Sequence, residues 1–554
     1  MPKDEIIQSL KIALKELRVD NIEPVLERPK DSKNGDFSTN VSMQSFKLQK
    51  RNIPGSYSHT KAVFVSNPLE MAQKMVEIIN SLGSTSQNFA KVEAVVPGFI
   101  NFYLSDKYLQ NQIQNIIKQG DNYGSSTVGK GKKVSIEFVS ANPTGPLHIG
   151  NARGGPLGDV IANVLSKVGY NVKREYLHNN VGGQVERLGE AIYFELHPDK
   201  KSENYEVQYQ GDYIKELSQG VKESLGGGED LSQEEFVEKA GAVAVEIMLK
   251  EILKDCEDMG IKYDLVRKES DLRQEVPEVL GKIDKFLVER DGAKWFAPND
   301  EFLNDRETVV VKSDGDYTYF ASDIVYHYEK MSENDLVIDI LGSNHSGHVP
   351  RLMAVVKALG FHPDNLKVVL YQWIRLKRGS EIIKMSKRAG TFVTAREVLD
   401  EVGKDAFRFF LLKNGPETHM DFDLELAKKQ ASDNPVFYIQ YAYSRICSIF
   451  KKIEKDDFSN VDLSLLGYVE EVALIRHLLK FPELIEEISS TFGVHALTTY
   501  AVELAILFHK FYETHRVISE NNKQTKARLA LLEATRVTLK NTLDLLGVRA
   551  LEQM

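Results

Sequence analysis

The chain has 554 residues, 27% of them charged and 42% apolar, with a formal net charge of −10 at pH 7. That length exceeds one hydrophobic core and predicts about three or four domains, and the acidic balance argues against nucleic acid as a default partner, although phosphate contacts depend on a local basic face. Cys256 and Cys447 stand alone, which excludes a disulfide framework or a four-cysteine zinc site; with no secretory pattern at the N-terminus and no apolar run near the ~20 residues of a bilayer span, the expectation is a cytoplasmic protein without zinc and without a membrane partner.

Residues 1–106 combine a helical start (Ile6, Leu10, Ile12, Leu14, Leu17) with alternating segments that end in Pro97-Gly98-Phe99-Ile100-Asn101-Phe102-Tyr103-Leu104, a small α/β module. Residues 50–68, with Pro54, Gly55, Ser56, Ser58 and Pro68, read as a surface loop. A helix near 106–119 and a polar stretch to Lys133 lead onward. The apolar run Val134 to Val139 then reads as a buried strand, followed by a helix at about 153–168 and a strand at Val172 to Leu177. This is a right-handed βαβ unit, the start of a doubly wound parallel sheet. Residues 190–300 interrupt it with charged helical sequence, Phe236 to Met259 and Gln274 to Arg290. Sheet patterning is predicted to resume at Glu307 to Lys312, Leu336 to Leu341 and Leu366 to Leu370. After residue 405 apolar residues recur at helical spacing, as in Leu529 to Leu546. The predicted fold is α/β: a Rossmann-type doubly wound parallel sheet split by an insertion, with an N-terminal α/β module and a C-terminal all-helical domain. The expected boundaries are 1–106, 107–189, 190–300 (the insertion), 301–404 and 405–554.

Two strings carry the chemistry. Pro143-Thr144-Gly145-Pro146-Leu147-His148-Ile149-Gly150-Asn151 follows the first strand and opens a helix, where outward-pointing backbone N–H groups make an anion site. Gly150 keeps the backbone open to a base or ribose. His148 and Asn151, three apart, face one side and can donate to phosphate oxygens. Far downstream, Lys384-Met385-Ser386-Lys387-Arg388 sets cations around a small hydroxyl residue, suited to neutralising a departing pyrophosphate. Alone, His148 reads as a helix-start histidine and the lysine run as a solvated loop; together they read as two jaws on a nucleotide triphosphate.

This pair resembles the HIGH and KMSKS motifs of class I aminoacyl-tRNA synthetases, with Asn151 where that class usually has its second histidine. Further strings resemble the arginyl-tRNA synthetase family along nearly the whole chain: Asn34-Gly35-Asp36-Phe37, residues 97–104, Ser140 to Gly145, Tyr176 to Gln184, Gly342 to His348, Asn434 to Ser448 and Phe508 to Tyr512. Asn180 stands where the family often has aspartate. The resemblance implies an arginine–tRNA ligase that uses ATP with Mg²⁺, partnered by L-arginine and tRNA(Arg), and read here as a monomer. It implies ATP contacts at Pro143, Gly145, His148, Gly150, Asn151, Lys384, Met385, Ser386 and Lys387. The catalytic roles fall to His148, Asn151, Lys384 and Lys387.

For the amino acid, a planar guanidinium calls for carboxylate and hydroxyl acceptors in a fixed frame. Glu137 lies inside an apolar strand, costly unless paired with a cation. Tyr319 and Asp323, four apart, share a helical face. By resemblance Tyr319 and Asp323 contact the arginine side chain and Glu137 and Asn142 hold its other groups, with Gln184 and His345 beside them. Resemblance also places Phe99, Asn101, Tyr441, Tyr512 and Met554 against tRNA, where aromatic faces stack on bases. Two rival readings are a non-catalytic RNA-binding relative and a small-molecule nucleotidyltransferase; the helical tail after 405 has no evident use in the second.

Overall fold

The computed structural model describes residues 2–19, 21–29, 31–51, 65–82, 88–201, 208–227, 230–303, 307–383, 393–453, 458 and 460–554. They form two compact units, one of residues 1–120, 453–479 and 507–537, the other of 121–452, 480–506 and 538–554. This division differs from the expected five parts. Stretches 453–479 and 507–537 join the N-terminal module because their side chains meet it: Gln110 Nε2 donates to the Leu466 carbonyl (3.0 Å) and Arg476 pairs with Asp36.

In the first unit, β1 (Phe37–Thr39), β2 (Phe89–Val95) and β3 (Phe99–Leu104) form an antiparallel sheet in the order β1-β3-β2. The Asn34-Gly35-Asp36-Phe37 string is explained here. Gly35 has φ +89° and lies so close to β3 that a Cβ would sit 2.7 Å from the Phe102 carbonyl oxygen, so only glycine fits. Asp36 accepts the Leu104 N–H (2.8 Å) besides pairing with Arg476. Residues 52–64 of the expected 50–68 loop lie outside the described residues, and Pro68 already opens the helix Pro68–Ser81, capped by Asn67.

In the second unit, β4 (Lys133–Phe138), β5 (Asn171–His178), β6 (Leu265–Lys268), β10 (Leu336–Gly342) and β11 (Leu366–Tyr371) make a five-stranded parallel sheet in the order β11-β10-β4-β5-β6. The helix Gly154–Lys167 is packed so tightly on the sheet that a Cβ at Gly158 would meet the Phe138 ring at 2.3 Å. Two strand readings are corrected. β6 lies within the stretch read as helical insertion, yet it pairs with β5 and completes the sheet edge. The strand expected at 307–312 is β9 (Thr308–Val311), which joins β7 (Leu287–Arg290) and β8 (Ala293–Phe296) in a separate antiparallel sheet. The helix expected over 274–290 accordingly stops at Lys282. The signal for that hairpin is Asp291-Gly292, both at positive φ (52° and 76°), the two-residue turn whose twist suits a β-hairpin.

Helices Gly183–Leu196, Asp212–Ser224 and Gln233–Asp258 pack on one another around Leu188, Ile192, Leu217, Val221, Phe236 and Val245. After residue 405 the chain is largely helical, as expected, but β14 (Met420–Asp423) runs parallel to β12 (Ile374–Arg378), whose other edge pairs with β13 (Glu381–Ile382).

Candidate active site

The sheet reverses its winding between β4 and β10, and a crevice outside the C-terminal ends of the strands is where such sheets bind ligands. The chain leaves β4 under strain: Val139 and Ser140 have φ of 68° and 38°, a region that a β-branched residue adopts only when its surroundings enforce it. Those surroundings are visible. Tyr176 Oη donates to the Ala141 carbonyl (2.7 Å), the Leu177 N–H donates to Ser140 Oγ (3.1 Å), and the Tyr213 hydroxyl reaches the Thr144 carbonyl (3.3 Å).

His148 caps the helix Ile149–Ala152, with its Nδ1 accepting the Gly150 N–H at 2.9 Å. An accepting Nδ1 leaves the proton on Nε2, which fixes the tautomer. A Cβ at Gly150 would sit 2.9 Å from that Nδ1, so glycine also protects the imidazole's position. Just beyond, Arg153 is buried and spends its guanidinium on three carbonyls: Gln372 (2.6 Å), Thr418 (3.0 Å) and Gly415 (2.9 Å). Burial pulls it down to about 10, with Tyr371 and Glu417 opposing. His148, Gly150 and Asn151 face Gly342, Ser343, Asn344, Tyr371, Gln372 and Trp373 across a cavity of about 380 Å³. Burial pushes the Tyr371 phenol up to about 12, so this wall is uncharged.

Lys384, Met385, Ser386 and Lys387 lie outside the described residues. The residues that follow them are tied to the histidine segment. The Ile149 N–H donates to the Val393 carbonyl (3.2 Å), the Ala395 N–H to Leu147 (2.7 Å), and His148 and Thr394 form an isolated bridge. Thr394 then starts the helix Ala395–Val402 with a capping box to Glu397.

Glu137 is buried on β4, directly opposite Asp339 on β10. Its cation is Lys330, whose Nζ donates to Glu137 (2.8 Å) and Asp339 (2.7 Å) and sits 4.2 Å from the Tyr326 ring centroid. His327 bridges the Asp323 carbonyl (Nδ1, 2.7 Å) and the Asp339 carboxylate (Nε2, 2.8 Å). Burial would lift the Asp339 carboxyl, but Lys330 and His327 outweigh it and hold it well below the usual range. Burial would likewise lower Lys330, but Asp339 and Glu137 hold its ammonium above the usual value.

Asp323 sits on the same helix, Tyr319–Glu333, as His327, Lys330 and Tyr319. Its carboxylate accepts no hydrogen bond from any described residue. Burial pushes it up to about 6, Glu137 adds to the rise and His327 opposes it. Glu269 nearby is raised first by burial and also by Asp323, while Arg273 (3.4 Å) opposes. Tyr319 is 45% exposed at the helix start. Asn142 Nδ2 donates to Gln184 Oε1 (2.9 Å), which joins two expected residues across the strand ends. Asn180 and Ser270 exchange hydrogen bonds, Nδ2 to Oγ and N–H to Oδ1, each at 3.0 Å. His345 is lowered by its enclosed position, with Glu137 opposing.

Sequence reasoning missed Lys330, His327, Asp339, Glu269 and Trp373. Asp339 carried the same signal as Glu137, an acid inside an apolar run. Elsewhere in this unit Tyr441 stacks with Phe437 (6.2 Å, 5° between planes), receives Arg445 Nη1–H at its hydroxyl (2.7 Å), and Met554 is exposed. In the first unit Tyr512 packs beside Phe508 and Phe99 is partly exposed. Asn101 is 3% exposed and accepts the Ser38 hydroxyl (2.7 Å).

Comparisons with known proteins agree along the chain. Residues 4–104 match the family model for the arginyl tRNA synthetase N terminal domain, 112–432 that for tRNA synthetases class I (R), catalytic domain, and 439–554 that for the DALR anticodon binding domain. An arginine–tRNA ligase of Staphylococcus epidermidis is 38% identical over 565 residues, covering 100% of this chain and 99% of the relative. One of Staphylococcus aureus is 38% identical over 540 residues, covering 96% and 94%. The solved arginyl-tRNA synthetase of Thermus thermophilus shares the fold, with a TM-score of 0.79 at 21% identity and 100% of each chain covered.

Proposed function

The chain belongs to the class I arginyl-tRNA synthetases and is an arginine–tRNA ligase, and on that premise we propose which of its side chains carry the reaction. ATP, with the Mg²⁺ that accompanies it as part of the substrate, occupies the cavity between His148–Asn151 and Gly342–Trp373. Pro143 and Gly145 shape its entrance. His148 Nε2–H and the Asn151 amide donate to the α-phosphate as the arginine carboxylate attacks it in line. Each such preorganised donor is worth about 2.7–4 kcal/mol in the transition state. Lys384 and Lys387, with Met385 and Ser386 between them in sequence, neutralise the leaving pyrophosphate. Arginyl-adenylate then yields its arginyl group to the terminal adenosine of tRNA(Arg), and AMP departs. Zinc has no step in this scheme.

The arginine side chain lies along Tyr319 with its guanidinium on Asp323 and Glu269, and Glu137, Asn142, Gln184 and His345 frame the rest of the molecule. The observation that carries this reading is Asp323, a half-buried carboxylate without a donor among the described residues. A carboxylate partly withdrawn from water without a counter-charge is disfavoured, and a substrate cation removes that cost. Phe99, Tyr441, Tyr512 and Met554 are the proposed tRNA contacts, and Asn101 is left out because it is buried and bonded to Ser38. The enzyme is proposed to work as a monomer. No helix among the described residues is long and apolar enough to cross a membrane; a cytoplasmic setting is proposed from the tRNA-charging activity.

The test is a charging assay with total tRNA and each standard amino acid in turn. Arginine alone is expected to be esterified; charging by another amino acid at a comparable rate would refute the pocket assignment.

A further inference from the structure

The four charges behind the arginine pocket form a closed set. Both ring nitrogens of His327 face acceptors, the Asp323 carbonyl and the Asp339 carboxylate, and satisfying both requires an N–H on each. A ring that donates to both acceptors carries a positive charge. Lys330 supplies a second positive charge, and Glu137 and Asp339 supply two negative ones, all four residues being buried. The sum is zero. Asp323, on the helix that carries both cations, stands outside the set.

From this arrangement we infer that Lys330 and His327 are positioning residues for arginine recognition: they neutralise Glu137 and Asp339 in a fixed cage, leaving Asp323 as the uncompensated carboxylate. The inference rests on the arginine-pocket reading above and assigns that pocket its charge. If Glu137 and Asp339 were not neutralised, three carboxylates would crowd together where the helix Tyr319–Glu333 covers β4 and β10, and one would take up a proton, since like charges so close disfavour joint ionisation. The site would then have neither a fixed charge nor a fixed rotamer at Glu137. With the cage in place, and Glu269 paired with Arg273 (3.4 Å), the site offers one net negative charge to a ligand whose side chain carries one positive charge. A neutral isostere such as citrulline leaves Asp323 unpaired and is rejected without any correcting step.

The cage also explains why the charges sit on these elements. Glu137 and Asp339 are register partners on adjacent parallel strands, and a single ammonium from the covering helix reaches both. Breaking one member of a buried ion set strands the others, so Lys330→Met is expected to lower stability as well as function. The double variant Lys330→Met/Asp339→Asn removes one charge of each sign and keeps the sum at zero, but Glu137 loses its tether.

The experiment measures arginine-dependent ATP–pyrophosphate exchange, with tRNA present, for the wild type and both variants, alongside thermal midpoints. In Lys330→Met the KM for arginine is expected to rise at least 30-fold while the KM for ATP stays within twofold. In the double variant the midpoint returns towards wild type but the arginine KM does not. A purely structural role would restore both together, and that result, or an arginine KM within threefold of wild type in either variant, overturns the inference. Nitrogen NMR of the ¹⁵N-histidine-labelled wild-type chain tests it without any substitution. A His327 ring protonated at both nitrogens at pH 7.5 is expected, and a neutral tautomer would contradict it. Failure of the wild type to activate arginine would instead sink the pocket reading itself.

Discussion

At the scale of single residues, His148 and Asp323 do the most distinct work. His148 is held by its own helix, Nδ1 to the Gly150 N–H, with the donor on Nε2. His148→Ala should therefore lower the activation rate by about 10²–10³-fold, the usual cost of one preorganised donor, and leave tRNA affinity unchanged. Single-turnover kinetics and tRNA binding measured side by side check this. Asp323 makes a pH prediction. Its carboxyl titrates near 6 in the free enzyme because burial disfavours the anion, and it binds a guanidinium only when ionised. The arginine KM should rise about tenfold per unit as pH falls below 6; a KM flat from pH 5 to 8 would contradict the assignment. The sign for stability follows from the same shift. A carboxyl raised in the fold stabilises it below the unfolded value near 4, and that contribution is lost as pH rises through about 6. Arginine restores it, so the thermal shift on adding arginine should be larger at pH 7.5 than at pH 5. Glu137 was legible in the sequence because an acid inside Val134 to Val139 demands a partner. That the partner is Lys330 was not legible, since only folding brings residue 330 beneath residue 137.

At the scale of elements, the parallel sheet could be read from its apolar runs, while its limits could not. β6 is four residues long and carries Arg267 and Lys268, too short and too charged to look like a sheet strand, yet it needs only one neighbour to pair with. β9 is as apolar as a central strand, but the Asp291-Gly292 turn before it commits the segment to a hairpin sheet. The site depends on segments that no periodicity marks, and Arg153 shows how they are held. Its guanidinium joins the histidine segment to Gln372 and to residues 415 and 418. Arg153→Met strands three carbonyls, and a loss of about 3 kcal/mol in unfolding free energy is expected, read by denaturant titration. The turn it anchors carries Trp373, 60% exposed at the nucleotide cavity and one of only two tryptophans in the chain. ATP should change the emission spectrum of the wild type, and Trp373→Phe should abolish most of that change.

At the scale of the whole molecule, the order of motifs along the chain identified the enzyme because each string is tied to chemistry that needs it. The Lys384–Arg388 string illustrates the limit. Its chemistry was readable, whereas what the fold adds is that Val393, Thr394 and Ala395 after it are hydrogen-bonded to the histidine strand. The boundaries were harder to read, because residues 453–479 and 507–537 join a unit more than 300 positions away in sequence through contacts such as Arg476 with Asp36. The helical insertion is closely packed around its own apolar core. A pocket built to hydrogen-bond a polar substrate discriminates by ~10⁴–10⁵ against ligands lacking the matching group, so no hydrolytic correction is needed. Misacylated tRNA(Arg) incubated with the protein should persist as long as in buffer. The claim on which the account turns is that Asp323 is the receptor for the guanidinium. It is tested most directly by the arginine KM of Asp323→Asn in the charging assay: a rise of at least 100-fold with the ATP KM unchanged is predicted, and an arginine KM equal to that of the wild type would contradict it.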